Sequence, residues 1–224
     1  MGRREGHRDE MEEEGDWWDV MAKMGMPLLY IIGILCGIVG AICQGVITEY
    51  WANSEMNSCF LYSKTASSVV VYQFGTSVSV CNWVTYGTVV SIIIAFLAGL
   101  VYTVKVRSTK DLTYTSAFSL TGIVIAMLLM LAVTCTMAEG LRLTCSAMGL
   151  NSANNKGGSC YTNLDKRMIG QYLPVQTSTM VRAALVTLSC SCVAFFVICC
   201  FHLSDFYRRT LRHRYSGVAY DERA

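Results

Sequence analysis

Residues 27–48 read PLLYIIGILCGIVGAICQGVIT, a run that contains no Lys, Arg, Asp or Glu. A hydrocarbon core about 30 Å thick requires about 20 apolar residues in a helix that rises about 1.5 Å per residue. Three further uncharged runs of similar length follow, at about 84–103, 117–138 and 183–203. The pattern predicts a chain that crosses a membrane four times.

Composition agrees with this prediction. Of the 224 residues 53% are hydrophobic and 15% are charged, whereas an ordinary soluble domain has about 25% charged residues. Lipid offers the backbone no hydrogen-bonding partners, so the runs must be helical; their length and lack of alternation exclude a β-barrel. The expected fold is an all-α membrane protein with a bundle of four transmembrane helices. We expect the lipid bilayer to be its main environment and no nucleic acid among its partners.

The orientation follows from the positively charged residues, which concentrate on the cytoplasmic side of membrane proteins. Lys105, Arg107 and Lys110 lie between the second and third spans. Four arginines follow the fourth span, namely Arg208, Arg209, Arg212 and Arg214. We therefore expect the N-terminal segment 1–26 and the tail 204–224 in the cytoplasm, most simply beneath the plasma membrane. The loops at about 49–83 and 139–182 are then extracellular.

The N-terminal segment has an amphipathic end. Trp17 and Trp18 are followed by Val20, Met21 and Met24. Since tryptophan prefers the headgroup level, we expect this stretch to lie along the inner membrane surface.

Eleven cysteines occur in the chain, and four of them fall in the two outer loops. Cys59 and Cys81 lie in the first loop, and Cys145 and Cys160 lie in the second. An even number of loop cysteines in an oxidising compartment predicts disulfides, for which four cysteines allow three connectivities. We favour one bridge within each loop.

The first loop also carries strand signals. The segments Cys59–Ser63, Ser68–Phe74 and Ser77–Cys81 are rich in β-branched and aromatic residues, with Gly75 between the last two. We expect a small antiparallel β-element there, held by the Cys59–Cys81 disulfide.

Small residues line one face of each of the first two spans. On the first span the face contains Gly33, Gly37, Gly40, Ala41 and Thr48, together with the larger polar residue Gln44. On the second span it contains Gly87, Ser91, Ala95 and Gly99. Small side chains let helices approach closely, which drives association in lipid. Packing within the bundle is the favoured interpretation, and docking to another membrane protein is the alternative. For Gln44, a hydrogen bond to a neighbouring helix is favoured over a place in a pore lining.

Chemistry-bearing motifs are lacking. The sequence has no nucleotide loop, no spacing typical of a metal site and no nucleophile arrangement, so we expect no enzyme, no catalytic residue, no metal and no cofactor. Cys199 and Cys200, close to the cytoplasmic end of the fourth span, are candidates for palmitoylation. Cysteines in a buried helix more often serve as small apolar packing residues.

The order of several short motifs resembles one known family. The chain has CFLY at Cys59–Tyr62, a cysteine at the mouth of the second span (Cys81), Ser-Ala-Phe at Ser116–Phe118, and then Cys145 and Cys160. Over about residues 27–210 this order resembles the transmembrane protein 179 family. The resemblance implies a four-helix membrane protein with paired loop cysteines and implies no known chemistry.

Two classes of function fit these features. The first is a non-enzymatic accessory or scaffold subunit that binds a partner membrane channel or receptor through its outer loops and helix faces. The second is an oligomeric, pore-forming channel subunit built by self-association. No charge occurs within a span, so we expect the first.

Overall fold

The computed structural model describes residues 24–53, 59–65, 72–73, 77–107, 113–150, 160–167, 171–172 and 174–221. Its main elements are four long helices: α1 (Met26–Ala52), α2 (Val78–Arg107), α3 (Thr113–Leu150) and α5 (Thr177–Asp221), with a short helix α4 (Cys160–Leu164) before the last. Each of the four long helices contains a stretch long and apolar enough to cross a membrane. The chain is therefore an integral, multi-pass membrane protein with a four-helix bundle.

Each predicted span lies within one helix, but the helices are longer than the spans. Helix α3 continues to Leu150, about three turns beyond the predicted end at residue 138, and α5 continues to Asp221. Uncharged runs measure only the part of a helix that lipid surrounds, whereas the backbone hydrogen bonds continue into the headgroup layer and water. The amphipathic end predicted at Trp17 lies outside the described residues.

The four long helices form a ring in chain order. Helix α1 packs against α2 and α5, and α3 packs against the same two helices on the other side. Neighbours run antiparallel: near the start of α1, Tyr30 lies beside Gly99 close to the end of α2, whereas Thr48 near the end of α1 faces Thr85 close to the start of α2. This up-down-up-down arrangement places the described segments 59–65, 72–73, 160–167 and 171–172 at one end of the bundle.

Four two-residue strands lie at this same end. Strand β1 (Lys64–Thr65) pairs antiparallel with β2 (Tyr72–Gln73), and β3 (Lys166–Arg167) pairs antiparallel with β4 (Gln171–Tyr172). The predicted strand at Ser77–Cys81 is wrong, because α2 already begins at Val78. Its β-branched residues form the first turn of an apolar helix, and a short apolar run does not distinguish the two conformations.

The other two predicted strands of the first loop have different outcomes. Residues 60–63 follow bends and turns rather than a strand, and Tyr62 adopts a left-handed backbone conformation with φ 59°. Of Ser68–Phe74, only Tyr72 and Gln73 lie within the described residues. The small β-element held by a disulfide therefore stays a prediction.

Candidate functional site

Two disulfides lie at the end of the bundle that carries the strands. Cys59 is bonded to Cys81, with the Cα atoms 5.8 Å apart, and Cys145 is bonded to Cys160, with the Cα atoms 5.2 Å apart. The first bridge ties the loop after α1 to the first turn of α2, and the second ties α3 to α4. This is the within-loop pairing favoured from the sequence. We call this part of the molecule the disulfide end.

The loop segment Cys59–Ser63, here called the plug, closes the disulfide end. Its Phe60 and Leu61 side chains are fully buried although they lie in a loop. The Phe60 ring packs beside Trp51 of α1, with the ring centroids 6.2 Å apart. The Cys59–Cys81 bridge therefore holds an apolar loop over the helix ends.

Polar contacts with α3 fix the plug in place. The Thr144 hydroxyl proton is shared between the carbonyl oxygens of Gly140 in its own helix (2.9 Å) and Phe60 (3.1 Å), and its oxygen accepts the backbone N–H of Ser63 (3.2 Å). The backbone N–H of Tyr62 donates to the carbonyl oxygen of Gly140 (3.2 Å). A Cβ on Gly140 would lie 2.9 Å from the Tyr62 ring and 3.0 Å from Leu61 Cβ, so only glycine permits this close approach.

The second loop anchors the start of α5. Asp165 accepts the backbone N–H of Ser178 through Oδ1 (2.8 Å) and its hydroxyl through Oδ2 (2.6 Å). This carboxylate satisfies one of the free N–H groups of the helix start and places negative charge at the positive end of the helix dipole. Near it, the Arg182 guanidinium lies 3.8 Å from the centre of the Tyr161 ring.

One exposed ion pair lies on α3 at the disulfide end. Arg142 donates through Nε and Nη2 to the two carboxylate oxygens of Glu139, at 2.8 and 2.6 Å. Both side chains are largely exposed, so the pair contributes little to stability.

The small-residue face of α1 is occupied inside the bundle. An added Cβ would lie 2.8 Å from the Phe195 ring at Gly33, 2.9 Å from Ile92 at Gly37 and 2.8 Å from Leu188 at Gly40. The Ser191 hydroxyl donates to the carbonyl oxygen of Gly33 (2.8 Å). These contacts bring α5 and α2 against α1 and leave this face no room for a partner helix.

The corresponding face of α2 is also internal. Gly87 faces Val133 of α3, Gly99 faces the Tyr30 ring of α1, and Ala95 is fully buried. The Ser91 hydroxyl donates to the carbonyl oxygen of Ala126 (2.7 Å). The small residues singled out in the sequence thus pack the bundle itself, and any partner must contact another surface.

Gln44 is fully buried, and neither its Oε1 nor its Nε2 has a hydrogen-bond partner among the described residues. The hydrogen bond to a neighbouring helix expected from the sequence is not formed. One turn away on the same face of α1, the Thr48 hydroxyl lies 3.4 Å from that of Thr85.

The opposite end of the bundle contains a buried aromatic cluster that the sequence analysis missed. The Tyr30 hydroxyl lies 3.0 Å from Nε2 of His202, and the Tyr102 and His202 rings meet edge to face with centroids 5.0 Å apart. Nearby, the Ser119 hydroxyl donates to the carbonyl oxygen of Ala98 (3.1 Å). His202 belongs to the fourth predicted span, and an ionisable residue within a span was the signal that could have identified this cluster.

The two candidate palmitoylation sites differ in accessibility. Cys199 is buried and Cys200 is exposed on the outer surface of α5. The remaining unbridged cysteines are Cys36, Cys43, Cys135, Cys190 and Cys192. Within the described ranges no group of three or more His, Cys, Asp or Glu side chains is arranged to hold a metal ion.

The chain was also compared with known proteins. No protein-family model, no curated protein and no solved structure matches it. The observations that indicate a function of this chain therefore come from the two ends of the bundle and its outer surface.

Proposed function

We propose that this chain is a non-enzymatic accessory or scaffold subunit that binds a partner membrane channel or receptor. The observation that carries the proposal is the internal packing of the small-residue faces. Those of α1 and α2 are covered by side chains of neighbouring helices, and the plug buries Phe60 and Leu61 at the disulfide end. Because the described residues cover these faces, we assign partner binding to the outer surface and the ends of the bundle.

The disulfide end is the part of that surface best suited to a partner. The Thr144 hydrogen bonds and two disulfides hold the plug and helix α4 against the long helices, which lowers the entropic cost of binding at these described segments. Exposed Trp83 and Tyr86 on α2 flank it, and aromatic residues are enriched in binding interfaces. The disulfide-held β-element expected in the first loop belongs to the same proposed surface.

The alternative, an oligomeric pore-forming channel subunit, has less support. A pore between several copies would be lined by the outward faces of the helices. On α1 and α2 these faces carry large apolar side chains, namely Leu28, Ile31, Ile32, Leu35, Ile38, Val39, Ile42 and Val46 on α1 and Val89, Val90, Ile93, Phe96, Leu97, Leu100 and Val104 on α2. Such surfaces are suited to lipid.

The proposal includes an orientation and a family. Disulfides form in oxidising compartments and Lys and Arg concentrate on the cytoplasmic side, so we place the disulfide end outside the cell, both termini in the cytoplasm and the protein in the plasma membrane. On the order of its short motifs and loop cysteines, we also propose that the chain belongs to the transmembrane protein 179 family. Epitope tags at both termini should be stained only after the cells are permeabilised.

Isolation of the tagged chain from its native cells in mild detergent tests the accessory role. We expect one membrane protein to co-purify in near-constant ratio. Thr144→Val, which removes a hydroxyl that holds the plug, should lower that ratio, whereas Gly45→Ala should leave it unchanged because an added Cβ there meets nothing closer than 3.6 Å. A chain that purifies alone at its native level of expression would contradict the proposal.

A further inference from the structure

We propose that Gln44 binds ordered water inside the bundle, in a polar layer formed with Thr48, Thr85 and Thr88. The side-chain amide of Gln44 has two N–H donors and an oxygen that accepts two hydrogen bonds. The side chain is fully buried, and none of this capacity is used by the described residues. Buried polar groups in proteins are nearly always hydrogen-bonded, to protein or to ordered water, so an unused amide indicates a water site.

The register between α1 and α2 identifies the residues around this site. Gly37 faces Ile92, and one turn beyond Gln44 the Thr48 hydroxyl faces that of Thr85. Gln44 therefore lies at the depth of Thr85 and Thr88 on α2. Both threonines are neighbours on one side of α2, and Thr88 is fully buried.

The hydroxyl oxygens of Thr85 and Thr88 can accept hydrogen bonds from water, but they have no free proton to donate to Oε1 of Gln44. Thr85 donates to the carbonyl oxygen of Cys81 (3.2 Å), and Thr88 donates to that of Val84 (2.7 Å). Each threonine thus uses its single proton within its own helix, while its oxygen keeps acceptor capacity. A water molecule that accepts from the Gln44 amide and donates to such an oxygen satisfies both groups, and buried waters commonly make about three hydrogen bonds.

The approach of α1 to α2 differs along the two helices. An added Cβ would come within 2.9 Å of Ile92 at Gly37, but only within 3.6 Å of Thr85 at Gly45, the residue that follows Gln44. At Gly45 the two helices are therefore in ordinary van der Waals contact rather than in the tight contact found at Gly37. At the disulfide end, the Ser63 hydroxyl is also buried with no hydrogen-bond partner among the described residues, so polar groups that require water occur in the same half of the bundle.

Nuclear magnetic resonance of the protein in lipid nanodiscs tests this site directly. The chain has four glutamines, Gln44, Gln73, Gln171 and Gln176, so selective ¹⁵N-glutamine labelling gives four pairs of side-chain amide signals. Gln44→Leu removes one of them and assigns it. We expect the Gln44 amide protons to show a cross-peak to water with the sign of a long-lived bound molecule, whereas exposed Gln176 should show only fast exchange with bulk water.

A second variant tests whether the Thr88 hydroxyl accepts a hydrogen bond from this water molecule. Thr88→Val keeps the shape of the side chain but removes one acceptor, and it should weaken the Gln44–water cross-peak at least twofold while the Gln176 signal stays unchanged. A Gln44 amide signal without any cross-peak to water in the wild-type protein would overturn the proposal. So would a cross-peak with the sign of fast exchange, which would indicate bulk water rather than a bound molecule.

Discussion

The Tyr30 hydroxyl lies 3.0 Å from Nε2 of His202, so the first and last membrane-crossing helices are joined by a buried polar contact across 172 positions of sequence. Tyr102 of α2 packs against the same imidazole. Three helices thus meet at one polar group at the end of the bundle opposite the disulfides. The plug and its disulfide hold the other end, so each end of the bundle is stabilised by its own set of contacts.

Tyr30→Phe tests how much the contact between the Tyr30 hydroxyl and His202 contributes to stability. The substitution keeps the ring against Gly99 but removes the hydroxyl, so the free energy of unfolding should fall by about 1–2 kcal/mol. Thermal unfolding in detergent measures this, with Tyr86→Phe as the matched control because that side chain is 66% exposed. Equal unfolding midpoints for the two variants would show that the contact with His202 adds no stability.

Gly40→Ala tests whether the small-residue face packs the bundle. The new methyl group would lie 2.8 Å from Leu188 Cδ2 and 2.9 Å from Leu188 Cγ, and Leu188 is fully buried, so overpacking should cost about 1–3 kcal/mol. Gly45→Ala meets no close neighbour and should be neutral or stabilising by about 0.5–1 kcal/mol, because alanine favours helix. If both variants were neutral, α1 and α5 would not be as close as described.

Thr144→Val tests the attachment of the plug. It leaves the Ser63 N–H and the Phe60 carbonyl without their shared hydroxyl partner, at a cost of about 1–3 kcal/mol. We expect faster hydrogen exchange at residues 59–65 than in the wild type, while Thr144→Ser, which keeps the hydroxyl, should behave like the wild type. Unchanged exchange in the valine variant would mean that the disulfide, the Tyr62–Gly140 hydrogen bond and the burial of Phe60 hold the plug without the Thr144 hydroxyl.

The cysteine pairing is tested by alkylation and mass spectrometry before and after reduction. The bridged residues Cys59, Cys81, Cys145 and Cys160 should become alkylated only after reduction. The other seven cysteines are unbridged and should react without it once the protein is denatured. A disulfide that includes Cys135 or Cys190 would contradict the assigned pairing.

The sequence predicts those features that follow from local composition. Uncharged runs of the right length located all four spans because burial in lipid excludes charge along the whole run. The even division of four cysteines between two loops led to the favoured pairing. Glycines at helical spacing marked the faces of α1 and α2 that pack inside the bundle.

What the sequence could not predict depends on distant contacts. Thr144 reaches the plug across 84 positions, and nothing near either segment identifies the other. At Val78 the β-branched run is compatible with both a strand and a helix start, and the pattern alone favoured the wrong one. The partner of His202 is likewise a tyrosine at the far end of the sequence.

Reconstitution of the purified wild-type chain in liposomes, followed by single-channel recording, tests most directly the claim that this closed bundle serves a partner rather than conducting ions itself. The filled small-residue faces and the buried plug predict no conductance above that of mock preparations. The same membranes should carry currents once a co-purified channel partner is added. A reproducible single-channel current from the chain alone, altered by Gly40→Ala and absent from mock preparations, would contradict the account.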